Sequence, residues 1–394
     1  MLAARDLAPA GAGPLIMSQL IDEHRQYLED PHRMAAFERA IAAVVRPGDV
    51  VLDLAAGTGI LGLLACRAGA ARVYAVDEGP IIQIARDLAA ANGYADRVTH
   101  IRRLSAWLEL PERVDAIVCD QVGGFGFEAG IFEDLPDARA RFLKPDGRIV
   151  PGRVRLWLAP CEFAEGRAWV DFWASPVAQF DVSPVHPMAS ASGYPCRFAA
   201  DHLLAPGEPI ADLDMSTAED GLISATLVFT VRRPARLDGL AGWMSAELAP
   251  GIEMTNSPDA PDRINRRQTF LPLDPVQLTS GTQLHVEIRI LPTEAMVQWH
   301  LRALDAGGAT ISEQRHSTFA GMLISAEDLA RTSPHGHPRL SRAGHARRVV
   351  LELTDGNRSV AEIERAIAEQ FPDIVRDQTA ATRFVAQVLT VYAE

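Results

Sequence analysis

The stretch VVLDLAAGTGILGLLACRAG, residues 50–69, decides the fold. Its first part is an apolar run broken only by Asp53, the pattern of a strand buried on both faces. Gly57 and Gly59 then mark a tight turn, where the backbone can approach a ligand because no side chain intervenes. The rest is helical in pattern. Strand, glycine turn and helix together open a nucleotide-binding α/β unit. Asp53 sits at the strand end, within reach of a ligand at the turn. Asp77 closes the next strand, in VYAVDE, twenty residues after Gly57. From there an acid can accept both hydroxyls of a ribose. The alternative is a turn needing glycine for geometry alone, and Asp77 argues against it.

Around this stretch, residues 47–150 alternate short apolar strands with amphipathic helices, which predicts a mostly parallel sheet covered on both faces. Residues 17–46 carry helical patterning, after an Ala/Gly/Pro-rich arm over residues 1–16. LKPDGRIVPG, residues 143–152, reads as a turn into the next segment. From about residue 151 the pattern changes to strand-like runs (RVRLWLAP, ISATLVFTV, QTFLPL, LHVEIRIL) between Pro/Gly/Asp turns, an all-β module. After the linker RTSPHGHPRL, SVAEIERAIAEQF is a helix with a Ser359/Glu362 capping box and Val360, Ile363, Ile367 and Phe371 on one face. TAATRFVAQVLTVYAE is a second, with Phe384, Val388 and Tyr392 four apart.

Composition narrows the function. The chain has 394 residues, nearly half apolar, enough for two or three domains with a sizeable core. A net charge of −13 argues against bulk nucleic-acid binding and suits cationic partners. Cys66, Cys119, Cys161 and Cys196 lie far apart without zinc-ligand spacing, which fits reduced thiols in a cytosol and predicts no metal. No apolar run is long enough to span a bilayer, and the N-terminus lacks the layout of a secretory signal.

The glycine motif lacks the third glycine of dinucleotide sites and has no G-K-[ST], so an adenosine without pyrophosphate is the expected ligand. D-x-x-x-G-x-G resembles the first motif of class I S-adenosylmethionine methyltransferases. From Tyr27 to about Trp157 the chain resembles the protein arginine methyltransferases, in YLEDPHR, VLDLAAGTGILGLLACRAGA, VYAVD and LKPDGRIVPGRVRLWLAP. WASPVAQFDVSP resembles the start of that family's dimerisation arm, and QTFLPL with its surroundings its β-barrel. The resemblance implies that Arg33 binds the cofactor's methionine carboxylate, a role that suits a guanidinium fork; the alternative is a solvated helix residue. Gly57, Gly59, Asp53, Asp77, Glu78 and Ser105 complete the expected cofactor-binding set.

CDQVGGFGFEAG, residues 119–130, corresponds to the loop in which the family clamps a guanidinium between two glutamates. Two carboxylates match a planar cation with five donors. Here the second acid is Glu128, and Asp120 followed by Gln121 stands at the first position. All three are expected catalytic residues. Asp120 and Glu128 would orient the substrate, or else serve as ordinary loop acids; Gln121 would be an amide acceptor for a less charged group. The loop is one residue shorter than the family's. Where the family usually has Thr-His-Trp before a Gln, this chain reads Asn265, Arg266, Arg267, Gln268, and Ala106 replaces the family's adenine-binding glutamate. Arginines facing the pocket would disfavour a guanidinium and favour an anionic or neutral nucleophile.

RRVVLELTDGNRSVAEIERAIAEQFPD resembles the small PqqD-like domains that hold leader peptides of ribosomally made natural products as an added strand. A DNA-binding or purely structural cap is the alternative, and the net acidic helix weighs against DNA.

The expected fold is an α/β Rossmann-like methyltransferase domain (residues 47–151) behind helices covering the cofactor (1–46). A β-barrel domain (152–325) with a dimerisation arm at about 170–205 follows, and then a small helical or winged-helix-like domain (341–394). The expected function is transfer of a methyl group from S-adenosylmethionine to a peptide side chain, in a precursor recruited by the C-terminal domain, by a cytoplasmic homodimer. The alternatives are an arginine N-methyltransferase acting on free guanidino compounds or cellular proteins, and a non-catalytic peptide-binding scaffold.

Overall fold

The computed structural model describes residues 15–393, with side chains from Ile21 onward. The N-terminal arm therefore lies almost wholly outside the described residues. The chain divides into two units, Met1–Met322 and Leu323–Glu394.

The larger unit begins with helices α1 (Leu15–Leu28) and α2 (Pro31–Val44). Asp30 separates them. Its carboxylate caps α2 by accepting from the backbone N–H of His32 and Arg33, and Pro31 occupies the first helical turn, where no N–H is needed. Then come β1 (Val50–Leu54), α3 (Ile60–Ala68), β2 (Arg72–Asp77), α4 (Ile82–Ala91), β3 (Val98–Arg102), β4 (Val114–Cys119), α5 (Ile131–Phe142) and β5 (Leu143–Val150). The five strands form one parallel sheet in the order β3-β2-β1-β4-β5. The strand order reverses between β1 and β4, whose ends Leu54 and Cys119 are paired. The crevice beyond such a switch point is where open α/β sheets bind ligands.

One expectation in this region fails. LKPDGRIVPG is the edge strand β5 rather than a turn. Its Pro-Asp-Gly signal falls where the β4–β5 register shifts, between Val114↔Leu143 and Ala116↔Arg148. The turn chemistry is accommodated as an irregularity inside the strand.

The all-β region comprises β6 (Arg153–Cys161), α6 (Ala164–Asp171), α7 (His186–Ser190), β7 (Tyr194–Cys196), β8 (Glu208–Asp214), β9 (Ile223–Thr230), β10 (Ala235–Ala249), β11 (Ile252–Thr255), β12 (Gln268–Leu278), β13 (Gln283–Leu291), β14 (Met296–Leu304) and β15 (Thr310–Ser317). Two antiparallel sheets result, β7-β12-β10-β6-β8 with β11 on β10, and β15-β14-β13-β9. One hydrophobic core runs from Phe37 and Leu52 in the α/β part to Leu273 and Trp299 in the β part. This continuity fixes the crevice relative to the strands facing it.

The smaller unit has its own core, centred on Ala346, Val350, Ile363, Ile367, Val385 and Val388. Its helices are α8 (Ala326–Thr332), α9 (Arg342–Leu353), α10 (Val360–Gln370) and α11 (Gln378–Tyr392). Its described residues include no strand, so the winged-helix form fails for want of a wing. The Ser359/Glu362 capping box is present. The expected apolar stripes shift slightly. Val360 is exposed while Ile363, Ile367 and Phe371 are buried, and α11 buries Ala381, Val385 and Val388 rather than Tyr392. No helix among the described residues is long and apolar enough to cross a membrane.

Candidate active site

Two adjoining cavities open at the switch point. The smaller, about 230 Å³, is lined by Ala55, Asp77, Glu78, Leu104, Ser105 and Gln121, among others. The larger, about 670 Å³, is lined by His24, Tyr27, Arg33, Gly57, Asp120 and Glu128, and by the chain from Asn265 to Thr269. Ala55, Gln121 and Ala129 border both. Ala55 has φ +53, a region non-glycine residues seldom occupy.

Gly57 has φ +56, and a Cβ there would lie 2.6 Å from the His24 ring of α1. Glycine is thus required both by the turn and by the helix lying across it. Asp77 takes the Gly57 N–H on one oxygen at 2.9 Å and the Gly79 N–H on the other at 2.7 Å. Each oxygen keeps a lone pair for a further donor.

Asp53 and Gly59 are placed otherwise than expected. Asp53 is buried beneath the turn, where it accepts from the Gly62 N–H at 2.8 Å and tethers the start of α3. Burial pushes its pKa up to about 8, opposed by that hydrogen bond. Gly59 has φ +71, and a Cβ there would meet Ala85 of α4 at 2.9 Å. Both support the cradle from behind and line neither cavity.

Ser105 donates to Asp134 of α5, and the Gln121 amide donates to the other Asp134 oxygen at 2.6 Å. The Gln121 carbonyl receives the Cys119 thiol at 3.3 Å. The Gln121 carbonyl keeps a lone pair and borders both cavities, while its amide N–H is committed to Asp134. Both its ends join a chain of contacts that stiffens the wall between the cavities.

Asp120 is also committed. One of its oxygens takes both Nε and Nη2 of Arg33, at 2.9 and 2.5 Å, and Nη2 of Arg266 at 3.3 Å. Its other oxygen is buried without a partner. Arg33, itself buried, also donates to the Tyr27 carbonyl and stacks on the Tyr27 and Phe37 rings. Arg266 also donates to the Val122 carbonyl and lies over Tyr27. A clamp of two equally available acids is thus replaced by one acid shared between two arginines, with a single oxygen left over.

Glu128 is the acid the cleft keeps. Its carboxylate accepts from the backbone N–H of Phe125 at 2.9 and 3.0 Å and of Phe127 at 3.2 Å, with Thr269 Oγ1 at 3.4 Å. The side chain reaches the cleft's water, yet protein encloses it. That enclosure raises its pKa, and the backbone donors moderate the rise. Gly123 is needed here, because a Cβ on it would lie 2.0 Å from the Glu128 carboxylate.

Three residues were given no role by sequence reasoning, although Tyr27 and Asp30 lie in the YLEDPHR motif. His24 and Tyr27 face the cleft at i and i+3 of α1. Helical spacing could have paired them, but nothing in it says that they cover Gly57 and two arginines. Asp30 is the third. Besides capping α2, it accepts the Asn265 N–H at 2.5 Å, joining the start of α2 to the loop that carries Arg266 and Arg267.

Comparison with known proteins agrees with the fold. Residues 34–152 match the family model "Ribosomal protein L11 methyltransferase (PrmA)". An "Arginine N(omega)-methyltransferase" of Streptomyces achromogenes subsp. streptozoticus is 30% identical over 281 residues, 67% of this chain and 75% of that protein. "Protein arginine N-methyltransferase 6" of Xenopus laevis is 29% identical over 298 residues, 71% and 86% of the two chains. Among solved structures, the Trypanosoma brucei PRMT1 enzyme-prozyme heterotetrameric complex with AdoHcy has a TM-score of 0.66 at 20% identity, covering 75% of this chain and 97% of that one. Arabidopsis thaliana protein arginine methyltransferase 10 gives 0.65 at 21%, covering 76% and 98%. These two show the fold.

Proposed function

The chain belongs to the arginine N-methyltransferase family, and from that premise we propose that it methylates a guanidinium nitrogen. It is an S-adenosylmethionine-dependent methyltransferase. The residues present fit that cofactor. Gly57 holds the turn beneath the His24 ring and lines the larger cavity, Asp77 ends β2, and Glu78 follows it, both lining the smaller cavity. We assign Asp77 and Glu78 to the ribose, and Ser105 to the wall of the adenosine cavity. Arg33 takes the methionine carboxylate by exchanging Asp120 for it. When bound, the cofactor supplies a methyl group on a positively charged sulfur.

Arg266 and Arg267 do line the cleft, which by itself disfavours a guanidinium, and one observation supports the acceptor reading against them. Glu128 is held by two backbone N–H groups so that it presents a carboxylate to the cleft. Such an acid accepts two guanidinium N–H groups, fixes the plane of the cation and leaves the third nitrogen to face the methyl donor. Withdrawing charge into the acid also keeps that nitrogen electron-rich.

The relatives support an arginine acceptor better than a precursor peptide. The C-terminal unit gives the precursor reading little help, since its described residues offer no edge strand for a leader to join. We also propose a homodimer formed through residues 170–205, where Phe172, Val177 and Phe180 are exposed. The decisive experiment is mass spectrometry of L-arginine, agmatine and an arginine-containing peptide after incubation with the cofactor. Added methyl mass on a guanidinium is expected. Its absence from all three rejects the acceptor.

A further inference from the structure

Arg197 and Arg267 form a pair that the methyl-transfer site leaves unexplained. Strand β7 runs antiparallel to β12, with Cys196 opposite Gln268 and Pro195 opposite Thr269. Continuing that register places Arg197 opposite Arg267, on the face of the ladder shared by Pro195 and Thr269. All four residues line the larger cavity. Like charges directly opposite one another on a ladder repel. Neither arginine has an acidic partner among the described residues. Arg197 donates one bond to the Asn265 carbonyl, and the Arg267 guanidinium has no hydrogen bond. Most acids nearby are occupied elsewhere: Glu29 pairs with Arg25, while Glu165, whose charge reaches Cys196 as that of Arg267 does, makes no ion pair with either arginine. Asp120 serves Arg33 and Arg266, Asp30 serves backbone donors, Glu23 takes the Tyr27 hydroxyl, and Glu128 takes backbone N–H groups.

The backbone under this pair is fixed. The Arg267 carbonyl accepts from the buried Asn256 amide at 3.2 Å, and the same amide holds the Gly124 carbonyl of the Glu128 loop at 2.7 Å. Thr269, two residues beyond Arg267, touches the Glu128 carboxylate. Two strand residues advance about 7 Å. The cleft thus carries Glu128 against Thr269 and, two residues back along the ladder, two exposed arginines without an ion-pair partner.

We propose that Arg197 and Arg267 form an anion subsite for the acceptor, and that the acceptor is a small guanidino acid whose carboxylate they hold while Glu128 holds its guanidinium. In free arginine six bonds separate the guanidinium carbon from the carboxyl carbon, roughly 7 Å when extended. An arginine within a peptide chain lacks this carboxylate. The inference rests on the guanidinium reading above, and the test separates the two.

The test uses the full chain with S-adenosylmethionine and compares L-arginine with agmatine, which has no carboxylate. kcat/KM for L-arginine should exceed that for agmatine by about tenfold or more, the worth of a lost charge-assisted pair. The double variant Arg197→Ala/Arg267→Ala should bring the ratio close to one, through KM for L-arginine. Its melting temperature should not fall, since a repulsive pair is removed. Equal kcat/KM for the two compounds in the wild type, or an unchanged ratio in the variant, overturns the subsite and leaves the guanidinium reading standing. If neither compound is methylated, the guanidinium reading falls, and calorimetry with glutarate on the protein saturated with S-adenosylhomocysteine decides the subsite alone. Binding lost in the double variant supports it; no binding to the wild type overturns it.

Discussion

The cleft has two glycine loops, and they are built differently. The loop after β1, residues 55–59, is held by its own α/β unit: Asp53 and Gly62 lie below it and Asp77 beside it. The loop after β4, residues 120–130, is held by partners far away in sequence. Arg33 comes from α2, and Arg266, Asn256 and Thr269 from the β region. A loop fixed by its own strand–turn–helix unit keeps its geometry when distant residues change. One fixed from outside changes with them. Departures from the family pattern accordingly include Asp120 and Asn265 to Arg267 on the acceptor side, with Ala106 on the cofactor side.

The contrast can be broken by substitution. The largest effect is expected at Glu128. Glu128→Gln should lower kcat by about 10²–10³ with cofactor affinity unchanged, because it removes charge aimed at the reacting cation. Wild-type turnover would make Glu128 a mere loop acid. The wild-type acidic limb should also lie above the usual glutamate range, since the carboxylate is the active form and its pKa is raised. On the other loop, Gly57→Ala should weaken cofactor binding by about tenfold or more, since its Cβ would displace His24. Calorimetry with S-adenosylhomocysteine checks this.

Asp53→Asn should act on stability. Below about pH 4 both folded and unfolded chains hold the proton; between there and about pH 8 only the folded chain does. Wild-type stability contributed by this group is therefore lost as pH rises across that window, by up to about 1.4 kcal/mol per unit. The asparagine variant keeps the Gly62 bond without the titration. Its melting temperature should exceed the wild type's at pH 7.5 by more than at pH 5. The smallest effect is outside the cleft. Ser359→Ala should cost about 1 kcal/mol through loss of the α10 cap, without changing turnover by the larger unit.

Sequence legibility follows the same division. The β1 turn, Asp77 and the alternation of strands and helices could be read because local period and spacing encode them. The depth of Asp53 could not be read, since a strand end looks the same whether it opens on a cleft or under a turn. Arg33 stood out as a cation for a carboxylate, but its contact with Asp120 spans 87 residues and has no local signature. Arg266 and Arg267 were visible as departures. Only the structure separates them: Arg266 turns onto Asp120 and Tyr27, while Arg267 lines the cavity without an ion pair.

Asp30 has a practical consequence for engineering. One carboxylate both terminates α2 and fastens Asn265. Replacing residues 264–268 with a relative's Thr-His-Trp-type sequence would thus not be a self-contained graft. Its effect would reach Arg33 through the helix start, and a redesign of acceptor preference would need compensating changes some 230 residues upstream in the chain.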